Sequence, residues 1–365
     1  MGEVWMKLSK VMLLKLTNAS SIHVLVVVIF IVLSAVLMLD LLNLSSKMAH
    51  MNKDNDEYSH KHGQTRGIKE WKNIRRSVGT EPLPYLILKD IVNIDTIPVR
   101  EPTCAVNSIL MILVTSAPDH FDRRRAIRNT WAKDRKTHND SNWQTFFLIG
   151  NSRDSVKNRK IEDEFYEYGD ILLGDYIDTY RNLTLKVQNG FKWAVENCQP
   201  QYLLKTDDDC YVNTRYFPRF LDQFNPNRDG LYAGAMFNDR GVVRDKNSKW
   251  YVSPEDYPMS VYPRYASGTG YVLSKDVLQR VVEAFSEVHP FPVEDAYTGV
   301  VVHRVGVSML DTGRFTMYNK QWRICNYLYL LVIHGVTPEQ QYLALKYTDD
   351  TLVECPGQKE SVTWY

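Results

Sequence analysis

Tyr202-Leu-Leu-Lys-Thr-Asp-Asp-Asp-Cys-Tyr-Val-Asn213 runs from an apolar segment of strand type, Tyr202 to Leu204, into three consecutive carboxylates, Asp207, Asp208 and Asp209. The segment reads as a strand whose carboxyl end opens into a turn. Adjacent like charges repel and raise one another's pKa unless a cation or a set of donors compensates them. A hard divalent ion such as Mn²⁺ or Mg²⁺ answers that need, because it prefers oxygen ligands and shares one or two carboxylates with the phosphates of a substrate. A solvated acidic turn, the common state of a charge run, is the alternative. The buried-type strand leading into the triplet weighs toward the metal.

Upstream, strand-like and helix-like stretches alternate: Ser108 to Val114 as strand, Phe121 to Trp131 as helix, Thr145 to Ile149 as strand, Val156 to Tyr168 as helix, Asp170 to Leu173 as strand and Leu183 to Glu196 as helix. This alternation predicts an α/β domain with a mainly parallel sheet covered on both faces, whose ligands collect at the carboxyl ends of the strands. The acidic triplet sits at such an end. Arg124, Arg125 and Arg128 follow the first strand within about one helical turn, so some of them are expected to face the crevice and a phosphate. Lys186, at the start of the helix before the acidic strand, is a second phosphate candidate, with an exposed helix lysine as its alternative. A GxxxxGK[ST] loop is absent and Gly268-Thr-Gly270 is too short for a dinucleotide fingerprint, so the ordinary ATPase reading lacks its main part.

Downstream, Phe291-Pro-Val-Glu-Asp-Ala-Tyr-Thr-Gly299 puts Glu294 and Asp295 at the start of a helix that continues through His303. One carboxylate there can cap the helix, worth about 1 kcal/mol. The other is then suitably held to take a proton from a hydroxyl in the crevice.

The chain has 365 residues, 44% of them hydrophobic, and a formal net charge of +1. It can bury one large core or two modest ones, and it offers no bulk field for nucleic acid. Ile22 to Leu39 is apolar except for His23 and Ser34, and Leu41, Leu42 and Leu44 extend it past Asp40 to roughly the length that crosses a hydrocarbon core. Lys7, Lys10 and Lys15 precede it, so an uncleaved signal anchor is expected over 22–44, with residues 1–21 cytoplasmic and the remainder lumenal. A cleaved signal peptide is the rival. Residues 45–100 read as a stem in which His50, His60 and His62 are solvated, and the folded domain is expected over 101–365. The 5 cysteines lack CxxC spacing and fit two disulfides and one free thiol. Asn139-Asp-Ser and Asn182-Leu-Thr are glycosylation sequons if that side is lumenal.

Arg124-Arg-Ala-Ile-Arg-Asn-Thr-Trp131, Tyr180-Arg-Asn-Leu-Thr-Leu-Lys186, Lys205-Thr-Asp-Asp-Asp209, Lys249-Trp-Tyr251, Ser267-Gly-Thr-Gly-Tyr271 and Glu294-Asp-Ala-Tyr-Thr-Gly299 together resemble the β-1,3-galactosyltransferase family. The resemblance runs from about Cys104 to Cys355, and the anchor and stem share the family's layout. It implies a Golgi type II enzyme of GT-A fold that uses a UDP-sugar and Mn²⁺ (or Mg²⁺). Such an enzyme inverts the anomeric centre to form a β-1,3 linkage to a glycan on protein or lipid. UDP-galactose is the expected donor and UDP-N-acetylglucosamine the alternative.

Residue by residue, the resemblance puts a DxD-type motif on Asp207 to Asp209, with Asp209 the direct metal ligand, Asp207 also toward the metal, and Asp207 and Asp208 on the donor side. Asp295 becomes the general base with Glu294 beside it. His334, in Val332-Ile-His-Gly-Val-Thr-Pro338, is implied as a further metal ligand, or equally as a structural histidine. Trp250, Tyr251, Gly268 and Gly270 are implied to line the donor and acceptor site, although Trp250 and Tyr251 are as readily packing residues. Two cysteines common in the family are here Ala266 and Val301, and Ala296 replaces a valine. The joint loss removes a bridge without stranding a thiol, and implies Cys104 with Cys198 and Cys325 with Cys355, leaving Cys210 free. A non-catalytic glycan-binding or chaperone-like relative and a membrane-tethered adhesion module are the competing classes. The intact Asp207 to Asp209 and Glu294-Asp295 argue against the first, and the matching site motifs against the second.

Overall fold

The computed structural model describes residues 99–105, 108–132, 143–320 and 322–357. The expected tail, the expected signal anchor over 22–44, nearly all of the stem and the sequon at Asn139 lie outside the described residues. Among the described residues no helix is long and apolar enough to cross a membrane.

The described strands are β1 (Leu110–Thr115), β2 (Trp143–Asn151), β3 (Ile171–Ile177), β4 (Tyr202–Asp207), β5 (Cys210–Val212), β6 (Tyr232–Phe237), β7 (Tyr265–Ser274), β8 (Leu310–Asp311), β9 (Phe315–Thr316) and β10 (Val332–His334). The α-helices are α1 (Phe121–Asn129), α2 (Ser155–Tyr168), α3 (Leu183–Trp193), α4 (Phe217–Phe224), α5 (Lys275–Glu283), α6 (Glu294–Arg304) and α7 (Pro338–Glu354). A 7-stranded sheet has the order β3-β2-β1-β4-β7-β6-β8, and a 3-stranded sheet the order β5-β10-β9. In the large sheet β3, β2, β1 and β4 run parallel, as do β6 and β8. β7 lies antiparallel to both β4 and β6, so it alone among these strands is reversed.

The sequence explains this arrangement. β1 is buried at every position, as a parallel strand covered on both faces must be. Alternate residues feed separate apolar layers: Leu110, Ile112 and Val114 join Ile127, Ile161, Phe217 and Ala344 from α1, α2, α4 and α7. Met111 and Leu113 join Val187, Phe191, Val277, Val281 and Val300 from α3, α5 and α6. Helix ends follow local chemistry. Asp154 accepts the Val156 and Lys157 amides at the start of α2, and Gly169 closes it at φ 64°. At Gly299 a Cβ would come within 2.1 Å of the Tyr265 Cβ, so only glycine lets α6 lie this close to β7.

Two of the three arginines expected at a phosphate instead lock α1 onto α2. Arg124 is 0% exposed. Its guanidinium donates to Glu164 at 2.7 and 2.9 Å, to Ser116 Oγ at 2.9 Å and to the Ala117 carbonyl at 2.7 Å. Arg128 donates to Glu164 at 2.6 Å and to both Asp170 oxygens at 2.7 and 2.8 Å. Burial alone would raise the Glu164 pKa, but the two arginines hold it below the ordinary value. Arg125 faces solvent, its side chain 68% exposed and paired with Asp122.

The segment ahead of β1 is fastened at two points. Arg100 exchanges backbone hydrogen bonds with Leu173 on the outer strand β3 at 3.2 and 2.9 Å. Cys104 is bonded to Cys198, which closes the turn between α3 and β4, and Cys325 to Cys355 at the end of α7. Cys210 is free and buried. Ala266 and Val301 both lie in the apolar layer under α3, α5 and α6. Truncating the shared carboxylate, Glu164→Ala, leaves the buried Arg124 guanidinium without a counter-charge, while Arg128 keeps Asp170, and is expected to cost about 3–5 kcal/mol of stability, read from chemical unfolding.

Candidate active site

The parallel register ends β1 and β4 together, with Thr115 beside Asp207, and this edge carries the acidic triplet. Each aspartate meets different partners. Asp207 Oδ1 accepts Thr115 Oγ1 at 2.5 Å and Lys205 Nζ at 2.7 Å. Asp208 is buried and accepts Ser116 Oγ and His120 Nδ1 at 2.7 Å and Arg123 Nη1 at 2.9 Å. Burial works to raise its pKa, yet His120, Ser116 and Arg123 together hold it low. Its oxygens are committed to protein donors, which makes it a brace for the turn.

Asp209 is the carboxylate left at the crevice. The small sheet pairs Cys210 with His334, and so brings Asp209 Oδ1 within 3.6 Å of His334 Nε2. His334 Nδ1 lies 3.1 Å from the Met317 carbonyl. With its proton there, Nε2 presents a lone pair toward Asp209, the tautomer a metal ligand needs. Arg123 Nη1 stands 3.5 Å from the other Asp209 oxygen. Among the described residues no three His, Cys, Asp or Glu side chains group to hold an ion by themselves. Asp209 and His334 supply an incomplete donor set of the kind that substrate oxygens complete.

Lys205 connects this edge to the second acidic pair. It is 0% exposed, and its ammonium meets Asp207 Oδ1 at 2.7 Å, the Gly268 carbonyl at 2.8 Å and Glu294 Oε2 at 3.2 Å. Burial works against its charge, but Asp207 and Glu294 outweigh that and hold it protonated. Glu294 is buried too, and its Oε1 accepts Tyr271 Oη at 2.5 Å and Thr298 Oγ1 at 3.1 Å.

Asp295, the next residue, is held by backbone donors. Its Oδ2 accepts the Gly268 amide at 2.9 Å and its Oδ1 the Ala296 amide at 2.9 Å. Burial and then the Glu294 charge push its pKa up to about 6, which suits a base working near neutrality. A Cβ at Gly268 would stand 3.3 Å from Asp295 Oδ2, and one at Gly270 3.2 Å from Val332, so both glycines serve close packing. Tyr180, 43% exposed, and Trp250, 49% exposed, stand at this end with Lys249 Nζ over both rings. Burial and Asp295 push the Tyr180 hydroxyl pKa up, while the Trp250 side chain works to lower it. Tyr251 is half-buried and closes a turn through its amide to Ser248.

Lys186, expected at a phosphate, is engaged by protein acceptors. It is buried, with Nζ donating to the Ser116 carbonyl at 2.8 Å and to Asp178 at 2.9 and 2.7 Å. Those acceptors use its capacity of three donors. Beside Asp178, a cavity of about 310 Å³ lies at the carboxyl ends of β1 to β3, bordered by Ala117, Pro118, Arg153 and Tyr180. Sequence reasoning missed Arg123, His120, Tyr180 and the role of Lys205. A lysine inside a buried strand, two residues before a carboxylate, was the available signal for Lys205. For the arginines helical phase gave no signal, since Arg123 and Arg124 stand four and three residues before the apolar Ile127 and so share its face.

A doubly covered α/β sheet with carboxylates at its carboxyl edge, opposite a carboxyl group poised to accept a proton, is the layout of a group-transfer enzyme. The chain belongs to the Galactosyltransferase family, whose match spans residues 122–312. Beta-1,3-galactosyltransferase 1 of Homo sapiens is 32% identical over 248 residues, 67% of this chain and 76% of that protein. UDP-GalNAc:beta-1,3-N-acetylgalactosaminyltransferase 1 of Homo sapiens is 34% identical over 241 residues, 64% of this chain and 72% of that protein. A crystal structure of S. aureus TarS superposes more loosely, with a TM-score of 0.34 and 12% identity over 68% of this chain and 40% of its own, and adds nothing to the argument.

The Asp295 pKa, near 6 when folded and 3.8 as the ordinary value, gives two expectations. With Asp295 in the expected role of base, transfer rates should fall about tenfold per pH unit below about pH 6, as it protonates. A raised folded pKa adds stability only below the unfolded value, and that gain is lost as pH rises through about 6. Asp295→Asn should therefore abolish transfer and yet unfold later than the parent at pH 8, by about 1–3 kcal/mol, an advantage that fades toward pH 4.

Proposed function

We propose that this chain transfers galactose from UDP-galactose to the 3-hydroxyl of a terminal sugar on a glycoprotein or glycolipid, inverting the anomeric centre to form a β-1,3 linkage. The observation that carries the reading is Asp295, tuned to a proton affinity near neutrality and seated across β7 from the acidic edge. In this reading residues 22–44 anchor a type II protein in the Golgi membrane and the catalytic domain is lumenal.

In this reading the cavity of about 310 Å³ beside Asp178 and Tyr180 takes the uridine, and Arg123, next to Asp209, serves the diphosphate. Asp209 and His334 fit Mn²⁺ or Mg²⁺, a carboxylate beside an imidazole whose other nitrogen is already placed on Met317. The ion, when bound, neutralises charge developing on the departing UDP. Asp295 takes the proton from the acceptor's 3-hydroxyl while that oxygen attacks the anomeric carbon. Attack on the side opposite the leaving group inverts the centre in one displacement, through an oxocarbenium-like transition state and with no covalent enzyme intermediate. The exposed rings of Tyr180 and Trp250 offer flat apolar surface to a sugar face at the base. UDP-N-acetylgalactosamine is a second donor, favoured by the similarity to a relative named for it.

The test uses the full chain with Mn²⁺ and UDP-galactose, UDP-N-acetylgalactosamine or UDP-N-acetylglucosamine against a panel of terminal-sugar acceptors. Transfer should vanish with chelator and return with Mn²⁺. His334→Ala should raise the Mn²⁺ needed for half-maximal rate by about tenfold or more. A folded protein that binds none of these donors in the presence of metal would move the reading to a non-catalytic relative.

A further inference from the structure

We infer that Lys205 is a positioning residue for the transfer step: one buried ammonium ties the base Asp295 to the donor-side carboxylate Asp207, acting through the backbone of Gly268, whose carbonyl it binds and whose amide holds Asp295. The inference rests on the reading of Asp295 as the base.

The geometry is a closed relay across three elements. Lys205 and Asp207 lie two residues apart on β4, so both side chains leave the same face of the strand. Nζ grips Asp207 Oδ1 at 2.7 Å and the Gly268 carbonyl at 2.8 Å. Gly268 lies on β7, and its own amide donates to Asp295 Oδ2 at 2.9 Å. The third contact is to Glu294 Oε2 at 3.2 Å, one residue before the base on α6. Glu294 is itself fixed by Tyr271 and Thr298. The start of α6 is thereby held against β4 on one side and β7 on the other. No other side chain touches Asp207, the Gly268 peptide and Glu294 together among the described residues.

Any buried ammonium needs acceptors for its three protons; what marks Lys205 is that, beside Glu294, those acceptors are Asp207 and the Gly268 carbonyl. Those contacts join the side that holds the donor to the side that activates the acceptor. Displacement of a reacting group by about 1 Å costs on the order of 100-fold in rate, so a loosened Gly268 backbone should appear in turnover.

The test separates positioning from folding. Lys205→Met leaves the Glu294 charge buried and uncompensated and is expected to lower the melting temperature. Lys205→Met combined with Glu294→Gln removes that charge while leaving an acceptor for Tyr271, and should melt close to the parent. In this double variant, kcat per folded molecule should be down about 100-fold while the KM for the UDP-sugar donor stays within about threefold. Glu294→Gln by itself should lose far less than the double variant. Parental kcat in the folded double variant would overturn the inference, as would a double variant no slower than Glu294→Gln. Asp295→Asn is run alongside on the full chain. If it keeps parental activity the base reading fails first; if it is inactive while the double variant turns over normally, only the role of Lys205 is lost.

Discussion

A positive charge deep in a protein is stable only where negative partners surround it, and the Lys205 ammonium draws β4, β7 and α6 to one point for that reason. The carboxylates it gathers differ in accessibility. Glu294 is sealed away, whereas Asp207 and Asp295 keep a side toward the crevice. A single cation therefore orders two acidic groups whose mutual repulsion would otherwise spread them, and α6 can begin with adjacent carboxylates without either leaving the fold.

The remaining parts of the site are set by strand register. Parallel pairing of β1 with β4 brings Thr115 and Ser116 under the acidic triplet, where their hydroxyls meet Asp207 and Asp208. Antiparallel pairing of β5 with β10 sets His334 against the residue that follows Asp209. The reversed strand β7 gives its glycine-rich end to both acidic groups, because Gly270 pairs with Thr206 while Gly268 reaches Asp295. Shifting any of these pairings by one residue would turn the functional side chains to the opposite face of the sheet.

Much of this was legible in the sequence. The alternation of apolar runs located β1 to β4 and the helices between them, and the acidic run marked the edge where the site lies. Glu294 and Asp295 were read at a helix start and are there, with Glu294 buried on Lys205 and Asp295 facing the crevice. The cysteine pairing implied by resemblance agrees with the bonds found. The arginine reading failed for a physical reason: charge along a helix does not say which cation a buried carboxylate will capture, and Glu164, forty residues from Arg124, captured two. The partner of Lys186 was likewise not legible, since Asp178 lies outside the motif that contains the lysine. The short sheet of β5, β10 and β9 left no signal of its own, because strands of two or three residues are too brief for periodicity to register.

The two fastenings ahead of β1 give the domain a defined load path. Tension arriving along the chain at Arg100 is first resisted by hydrogen bonds to Leu173, at the outer strand of the sheet. What passes on reaches the covalent link from Cys104 to Cys198, at the amino end of β4. The acidic residues emerge at the other end of that strand, about 20 Å farther along. Force is therefore delivered to the foot of the acidic strand and spread through the interior pairings of the sheet, so that a pull at Arg100 strains the scaffold before it disturbs the carboxylates.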